Sequence, residues 1–260
     1  MTALDPYTDD ELAELYDLDH AGYDADLPLY EQFARRGSTS LELGVGTGRV
    51  AKHLVRQGHR VTGIDSSPRM LARLAASLDA DTASRLRLVR ADMRDFELGE
   101  KFDLVYCALN TFEHLLSSED QLATLRCAAR HLAPAGIFVM ELRPMTAFDW
   151  NEPASALQLQ WTRTEPRTGD VVTKTWAAAC SPARQLTENT IIYDRTGADG
   201  VVRRRTLEVT LRLTGRFELE LLLARAGLRL GALYGDADLS PFDDGSDTLI
   251  AVGELEGAKV

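Results

Sequence analysis

The sequence predicts an α/β protein with a doubly wound, seven-stranded sheet, into which an antiparallel β meander is inserted. Three observations predict this fold class. Short strand-like runs alternate with amphipathic helices over residues 40–142. One of these runs, residues 102–107, is almost continuously apolar, as expected for a parallel strand that is buried on both faces. Residues 157–213 then contain only strand-like runs separated by turn residues.

The first strand and the first helix of the sheet enclose a glycine-rich turn. The turn glycines are Gly44, Gly46 and Gly48. Glycine permits positive φ and a close approach of a ligand to the backbone, and the free N–H groups of the following helix favour a polar ligand. A dinucleotide-binding turn would have its third glycine at position 49, which is Arg49 here. A nicotinamide-dependent oxidoreductase is therefore the less favoured interpretation.

The remaining elements follow from hydrophobic periodicity and from their start and stop signals. The predicted strands are 40–43, 60–65, 86–89, 102–107, 137–142, 157–164, 171–179, 185–193, 201–213, 228–234 and 247–253. The predicted helices are 9–18, 24–36, 47–57, one beginning at 68, one beginning at 118, and 216–226. The last two strands suit an antiparallel hairpin at the edge of the sheet, so the last strand is expected to run antiparallel.

These elements group into three parts of the chain. Residues 1–37 are expected to form an N-terminal helical lid, although their recurring tyrosines would equally suit packing. Residues 38–149 and 214–260 are expected to form the ligand-binding α/β domain. Residues 150–213 form the inserted β subdomain, which we expect to roof a substrate pocket or to provide the surface of a homodimer.

Composition limits the function classes. The chain has 260 residues, a net charge of −11 and a pI of about 5.0, which argues against a nucleic-acid partner. No apolar run reaches the roughly 18 residues of a membrane span, and the first residues lack the features of a signal peptide. Three scattered cysteines favour neither disulfides nor a zinc site, and no cluster has metal-ligand spacing. A soluble, cytoplasmic protein without membrane partners is expected.

Polar residues follow the predicted parallel strands where each one ends. In an open α/β sheet, ligands bind beyond the carboxyl ends of the strands. These strand ends carry Glu42 before the glycine turn, then Asp65, Asp92 with Met93, and Leu109 with Asn110. Four such positions in this order are unlike isolated helix caps, because all four converge on one edge of the sheet.

These residues resemble the motifs of the class I S-adenosylmethionine (SAM) dependent methyltransferases, which have a Rossmann-like sheet. Residues 42–48 match the first motif, Asp65 the second, Asp92 and Met93 the third, and Asn110 with Phe112 the fourth. The resemblance covers about residues 37–142 and 215–253, and is strongest to bacterial small-molecule and peptide N-methyltransferases. The usual Pro-Gly-Gly before the fifth strand is Pro-Ala-Gly here, which changes a turn and no ligand contact.

The resemblance implies roles for the residues at the strand ends. The two carboxylate oxygens of Asp65 would accept hydrogen bonds from the ribose hydroxyls. Asp92 would accept a hydrogen bond from the exocyclic amine of adenine, and Met93, Ser66 and Ser67 would flank the ring. Glu42 would set the turn or stabilise the cationic ligand. The other expected cofactor-binding residues are Tyr16, Tyr23, Gly44, Gly46, Gly48, Met70, Leu109 and Asn110, with the two tyrosines closing over the methionine carboxylate.

The implied reaction is in-line transfer of a methyl group from SAM to an amine or hydroxyl of a small molecule or peptide. Holding donor and acceptor in line can supply roughly 7–11 kcal/mol, so a general base is optional. His114 is the candidate base and Asn110 the second candidate catalytic residue, and Glu141 and Arg143 border the acceptor side equally well. The alternative is a SAM-binding protein that catalyses another reaction or serves as a scaffold.

Overall fold

The computed structural model describes residues 10–148, 150 and 154–257. These residues form two compact units. Unit 1 contains the described residues up to Gly22 together with Phe148–Arg212, and unit 2 contains Tyr23–Ala147 and the described residues from Leu213 onward. The three parts expected from the sequence differ from these two units at the N-terminus. The expected lid over residues 1–37 is divided between unit 1 and unit 2.

The strands agree closely with the sequence predictions. In chain order they are β1 Thr39–Leu43, β2 Arg60–Asp65, β3 Leu86–Arg90, β4 Phe102–Cys107, β5 Leu132–Leu142, β6 Gln158–Thr164, β7 Val171–Ser181, β8 Leu186–Thr196, β9 Val202–Arg212, β10 Leu228–Tyr234 and β11 Leu249–Leu255. The largest difference is in β5, which begins directly after the preceding helix instead of at residue 137.

The helices also follow the predicted order. They are α1 Asp10–Asp19, α2 Leu27–Ala34, α3 Arg49–Arg56, α4 Pro68–Ala76, α5 Ala80–Arg85, α6 Ser118–His131 and α7 Arg216–Arg225. The sequence analysis did not predict α5, because six residues are too few to show an apolar period. Its first turn is fixed by Asp79, whose carboxylate accepts the N–H of Thr82 at 2.8 Å.

Unit 2 contains a seven-stranded sheet in the order β10-β11-β5-β4-β1-β2-β3. All neighbouring pairs are parallel except those made by β11, which runs antiparallel to both β10 and β5. The predicted doubly wound sheet with an antiparallel last strand is therefore confirmed. Because β4, β1, β2 and β3 are parallel neighbours, their carboxyl ends lie along one edge of the sheet.

Both faces of this sheet are covered by helices. Successive residues of β4 point to opposite faces, so Leu104 belongs to one buried core and Val105 to the other. The first core contains residues of α2, α3 and α4, and the second contains residues of α6 and α7. This arrangement explains why residues 102–107 are almost continuously apolar, since neither face of the strand meets water.

Unit 1 is the predicted antiparallel insertion together with α1. Its sheet has the order β6-β7-β8-β9, and every neighbouring pair is antiparallel. Leu15 and Leu18 of α1 pack in one buried cluster with Val172, Tyr193 and Leu207 of the sheet. The N-terminal helix is therefore part of the hydrophobic core of the inserted subdomain.

The end of α1 is fixed to the inserted sheet by the carboxylate of Asp19. It accepts hydrogen bonds from Trp161 Nε1 at 2.8 Å, Lys174 Nζ at 2.5 Å and the Tyr193 hydroxyl at 3.1 Å. Burial alone would raise the pKa of Asp19, but the charge of Lys174 and the hydrogen bonds from Lys174 and Trp161 hold it below its ordinary value. Arg163 also donates to the backbone carbonyls of Leu18 and Asp19.

Within the described residues, every helix is too short or too polar to span a bilayer.

We expect Asp19→Ala to destabilise unit 1 by about 2 kcal/mol or more, because three buried or partly buried donors lose one acceptor. Trp150, Trp161 and Trp176 all lie in unit 1, so a urea titration followed by tryptophan fluorescence reports on that unit. The matched control is Glu208→Ala on the exposed side of β9, which should leave the midpoint unchanged. An Asp19→Ala midpoint equal to that of the wild type would contradict the assigned role.

Candidate active site at the carboxyl ends of the strands

The glycine turn after β1 has the backbone that the sequence analysis expects. Gly44, Gly46 and Gly48 have φ values of 69°, 54° and 78°, a region that residues with a side chain rarely adopt. A Cβ at Gly44 would lie 2.4 Å from Cγ2 of Thr111, so only glycine permits this approach. The turn after β1 therefore packs directly against the loop after β4.

Asp65, the last residue of β2, connects two turns. Its Oδ2 accepts the N–H of Gly46 at 2.8 Å, and its Oδ1 accepts the N–H of Ser67 at 2.8 Å. Burial raises the pKa of Asp65, while these two N–H groups oppose the rise. Each oxygen retains acceptor capacity for a further donor, as a pair of ligand hydroxyls would require.

The first turn of α4 is closed by Ser67, whose hydroxyl accepts the N–H of Met70 at 3.3 Å. Of the three residues that the sequence analysis assigns to the ligand here, Ser66 is exposed at the edge, whereas Ser67 and Met70 are buried. Ser66 is therefore accessible to a ligand.

Glu42, the penultimate residue of β1, is a buried acid beneath the glycine turn. Its Oε2 accepts the hydroxyl of Tyr106 at 2.9 Å. Burial raises the pKa of Glu42 to about 8, although Tyr106 and the charge of Arg49 act in the opposite direction. Glu42 is therefore largely protonated at neutral pH, and a nearby cation would favour its ionised form.

The turn after β3 carries Asp92 and Met93. The side chain of Asp92 is 43% exposed and accepts three donors of Arg94: the backbone N–H at 2.9 Å, Nε at 3.0 Å and Nη2 at 2.6 Å. These bonds, above all those from the Arg94 side chain, lower the pKa of Asp92. Met93 is half-buried and packs against the core on the α6 and α7 face. The sequence analysis did not assign a role to Arg94.

The loop after β4 is strained. Leu109 and Asn110 have φ values of 48° and 57°, two consecutive left-handed residues that are not glycine. Each such residue costs on the order of 1 kcal/mol or more, and this strain tends to occur at functional sites. Asn110 begins a 3-10 turn over Thr111–His114, in which His114 is half-buried. The two candidate catalytic residues therefore lie on one short, strained segment.

Two buried carboxylates hold this loop. Glu113 accepts the backbone N–H of Arg143 at 2.8 Å, and its Oε2 lies 2.9 Å from Arg143 Nε and 2.5 Å from Nη2. Burial raises the pKa of Glu113, with Arg143 opposing the rise. Glu141 accepts the hydroxyl of Tyr30 at 3.1 Å and a backbone hydrogen bond from Leu109. Sequence reasoning placed Glu141 and Arg143 near the site and missed Glu113.

The two tyrosines expected to close over the ligand lie in different units. Tyr23 is in unit 2, where the Arg49 guanidinium lies 5.0 Å from its ring centroid and forms 2.5 Å bonds to both carboxylate oxygens of Asp26. Burial, together with the negative charges of Glu141 and Asp26, raises the pKa of Tyr23 to about 12. Tyr16 lies in unit 1, with its ring 4.2 Å from that of His20.

The remaining expected site residues therefore converge on the edge formed by the carboxyl ends of β4, β1, β2 and β3. Three of these ends present hydrogen-bonding carboxylates, and the fourth presents the strained loop. No group of His, Cys, Asp and Glu among the described residues has the arrangement of a metal site. The fold and this edge define a doubly wound α/β domain of the class whose ligands bind beyond the strand ends.

Comparison with known proteins finds methyltransferases. Residues 41–136 match the methyltransferase domain family. The chain is 33% identical over 139 residues to the dTDP-3-amino-3,6-dideoxy-alpha-D-glucopyranose N,N-dimethyltransferase of Streptomyces fradiae, a match that covers 50% of this chain and 52% of that protein. It is 39% identical over 101 residues to the cypemycin N-terminal methyltransferase of a Streptomyces species, covering 38% of this chain and 40% of that protein.

Among solved structures, the fold resembles that of the CcbJ methyltransferase from Streptomyces caelestis, with a TM-score of 0.74, 26% identity and 90% of each chain covered. Residues 41–136 thus match a methyltransferase domain, and the curated relatives and the solved structure that the chain resembles are methyltransferases, in agreement with the resemblance of the sequence motifs. The chain spans about half the length, or less, of the two curated relatives described above.

We expect Glu42→Gln to change how stability depends on pH. Glu42 titrates near 4.5 when unfolded and near 8 when folded, so the wild type loses stability as pH rises through this interval. Glutamine does not titrate and still accepts the Tyr106 hydroxyl. The free energy of unfolding of Glu42→Gln, relative to the wild type, should therefore rise from pH 5 to pH 8 and level off above.

The measurement is urea unfolding followed by far-ultraviolet circular dichroism across this pH range. Glu256→Gln at an exposed position is the control for the change from glutamate to glutamine. A difference for Glu42→Gln that does not vary with pH would show that the buried acid is already ionised at neutral pH.

Proposed function

We propose that this protein is a SAM-dependent methyltransferase that methylates an amine of a small molecule, such as an amino sugar, or of a peptide. The observation that carries this proposal is the Asp65 carboxylate, which fixes the Gly46 turn while keeping acceptor capacity at the edge of the sheet. Asp92 lies at the end of the adjacent strand, as a nucleoside with a ribose and an adenine would require.

In this proposal, the residues of the strand ends bind the cofactor in order. Asp65 accepts hydrogen bonds from the two ribose hydroxyls, one on each carboxylate oxygen. Asp92 accepts a hydrogen bond from the exocyclic amine of adenine, with Ser66 and Met93 beside the ring. Glu42 lies beneath the glycine turn, where its ionised form would favour the cationic part of the ligand. Tyr23 lies over the Arg49 that follows the turn, on the side proposed for the methionine carboxylate.

The acceptor class rests on the relatives. One is named as an N,N-dimethyltransferase of a dTDP-amino sugar, which specifies methylation at nitrogen, and another as an N-terminal methyltransferase of cypemycin, which specifies the N-terminus. An amine acceptor suits the site, because a deprotonated amine attacks without a strong base. A hydroxyl acceptor would need a base, for which His114 is the candidate.

When bound, SAM supplies a methyl group on a positively charged sulfur. Held by Asp65, Asp92 and the glycine turn, it would offer the methyl carbon to the acceptor nitrogen, with the carbon–sulfur bond broken and its electron pair left on sulfur. His114 or water would then take the proton that the methylated nitrogen releases. In this proposal the chain contributes positioning: the loop after β4 is strained and is bonded to Glu113 and Glu141, which supports a fixed position for Asn110 and His114 beside the acceptor.

We expect Asp65→Ala to weaken binding of S-adenosylhomocysteine by about 10- to 100-fold, because the ribose hydroxyls lose a charged acceptor. The measurement is isothermal titration calorimetry. The matched control is Asp103→Ala, since Asp103 also accepts backbone N–H groups, from Ser38 and Thr39, but at the amino ends of the strands. Equal affinities for the wild type and Asp65→Ala would show that the ribose binds elsewhere.

We expect transfer of labelled methyl from SAM to at least one member of a panel of dTDP-amino sugars and peptides with a free N-terminus. With an amine acceptor, His114→Gln should leave kcat close to that of the wild type, whereas with a hydroxyl acceptor it should lower kcat by about 10²-fold because the base is lost; the affinity for S-adenosylhomocysteine should be unchanged. His53→Gln on the surface of α3 is the control. Failure of the folded wild type to bind S-adenosylhomocysteine would overturn the proposed function.

A further inference from the structure

Arg94 is bound to the carboxylate that is proposed to bind adenine. It follows Asp92 by two residues, and its backbone N–H donates to Asp92 Oδ1 at 2.9 Å. Its side chain folds back onto the same carboxylate, with Nε 3.0 Å from Oδ1 and Nη2 2.6 Å from Oδ2. Arginine matches a carboxylate in this two-pronged way, whereas lysine cannot.

The pairing leaves the carboxylate with a defined remaining capacity. A carboxylate has about four acceptor positions, two on each oxygen. The backbone N–H donates to Oδ1, Nη2 donates to Oδ2, and Nε lies between the two oxygens at 3.0 Å and 3.1 Å. These three N–H groups leave Asp92 with about one open acceptor position, and Arg94 favours the ionised form of the carboxylate.

The orientation of Arg94 is itself fixed by α6. Its Nη1 lies 3.3 Å from Oδ1 of Asp120 in the first turn of the helix. Its backbone carbonyl accepts the thiol of Cys127 on the same helix, with 3.2 Å between sulfur and oxygen. Both the backbone and the side chain of Arg94 are thus bonded to α6. These bonds fix the orientation of the Asp92 carboxylate and therefore the direction of its open acceptor position.

We propose that Arg94 is a positioning residue that makes the site selective for a 6-amino purine. It holds Asp92 as an ionised acceptor with a single open position, which fits the N–H of an exocyclic amine. A 6-oxo purine presents a carbonyl oxygen at the same place, so two acceptors would face each other without a proton between them. This inference rests on the proposed function, because it assigns the purine to Asp92.

The test compares S-adenosylhomocysteine with S-inosylhomocysteine, in which oxygen replaces the 6-amino group, by calorimetry on the full chain. We expect the wild type to bind the adenosyl compound on the order of 10- to 100-fold more tightly. Arg94→Gln should reduce that ratio to about fivefold or less, and Arg94→Lys should give an intermediate ratio, because it restores charge but not the two-pronged geometry.

Arg87→Gln is the matched control. Arg87 lies on β3 and forms an ion pair with Glu100 that is about as exposed as the pair of Arg94 with Asp92. The ratio for Arg87→Gln should equal that of the wild type. A loss of affinity in Arg94→Gln that is the same for both compounds would overturn the proposal and indicate that Arg94 contacts the ring or supports the fold. A wild type that binds both compounds equally would overturn it while leaving the proposed function intact. A wild type that binds neither would overturn both.

Discussion

The geometry of the candidate site depends on the carboxylate of Asp65 and its two backbone donors. Gly46 has a positive φ and lies before the first turn of α3, so its N–H is outside the helical hydrogen-bond pattern. Asp65 accepts that N–H and, with its other oxygen, the N–H of Ser67. One side chain thus fixes the turn after β1 relative to the turn after β2, and both turns lie at the edge where a ligand would bind.

The same edge is supported from beneath by three buried acids, each bound to a different element. Glu42 joins β1 to β4 through Tyr106, Glu113 joins the loop after β4 to Arg143, and Glu141 joins β5 to α2 through Tyr30. Burial raises the pKa of all three. Placing acids where water cannot solvate them costs stability, and such groups are common at functional sites. The stability lost by burying these three acids is consistent with a function at this edge of the sheet, where they hold strained turns in place.

Much of this could be predicted from the sequence, for a physical reason. Burial on one or both faces imposes a period on the apolar residues, so the strands, including the apolar β4, and most helices were predictable. The glycine turn was predictable from the spacing of its glycines. The ion pair between Glu113 and Arg143 was not, because its members are 30 residues apart and nothing in either local pattern indicates the other. Arg94 was in principle visible, since an arginine two residues after an aspartate can fold back onto it.

The N-terminal segment shows how side-chain partners, rather than helical periodicity, decide which unit a helix joins. The carboxylate of Asp19 is bound by residues of the inserted sheet, whereas Asp26, seven residues later, is bound by Arg49 of α3. Arg49 is also the residue that departs from the dinucleotide-binding pattern, because it occupies the position of that pattern's third glycine. A glycine there could bind neither Asp26 nor the ring of Tyr23. The substitution that distinguishes this turn from a dinucleotide site therefore also anchors the start of α2 beside it.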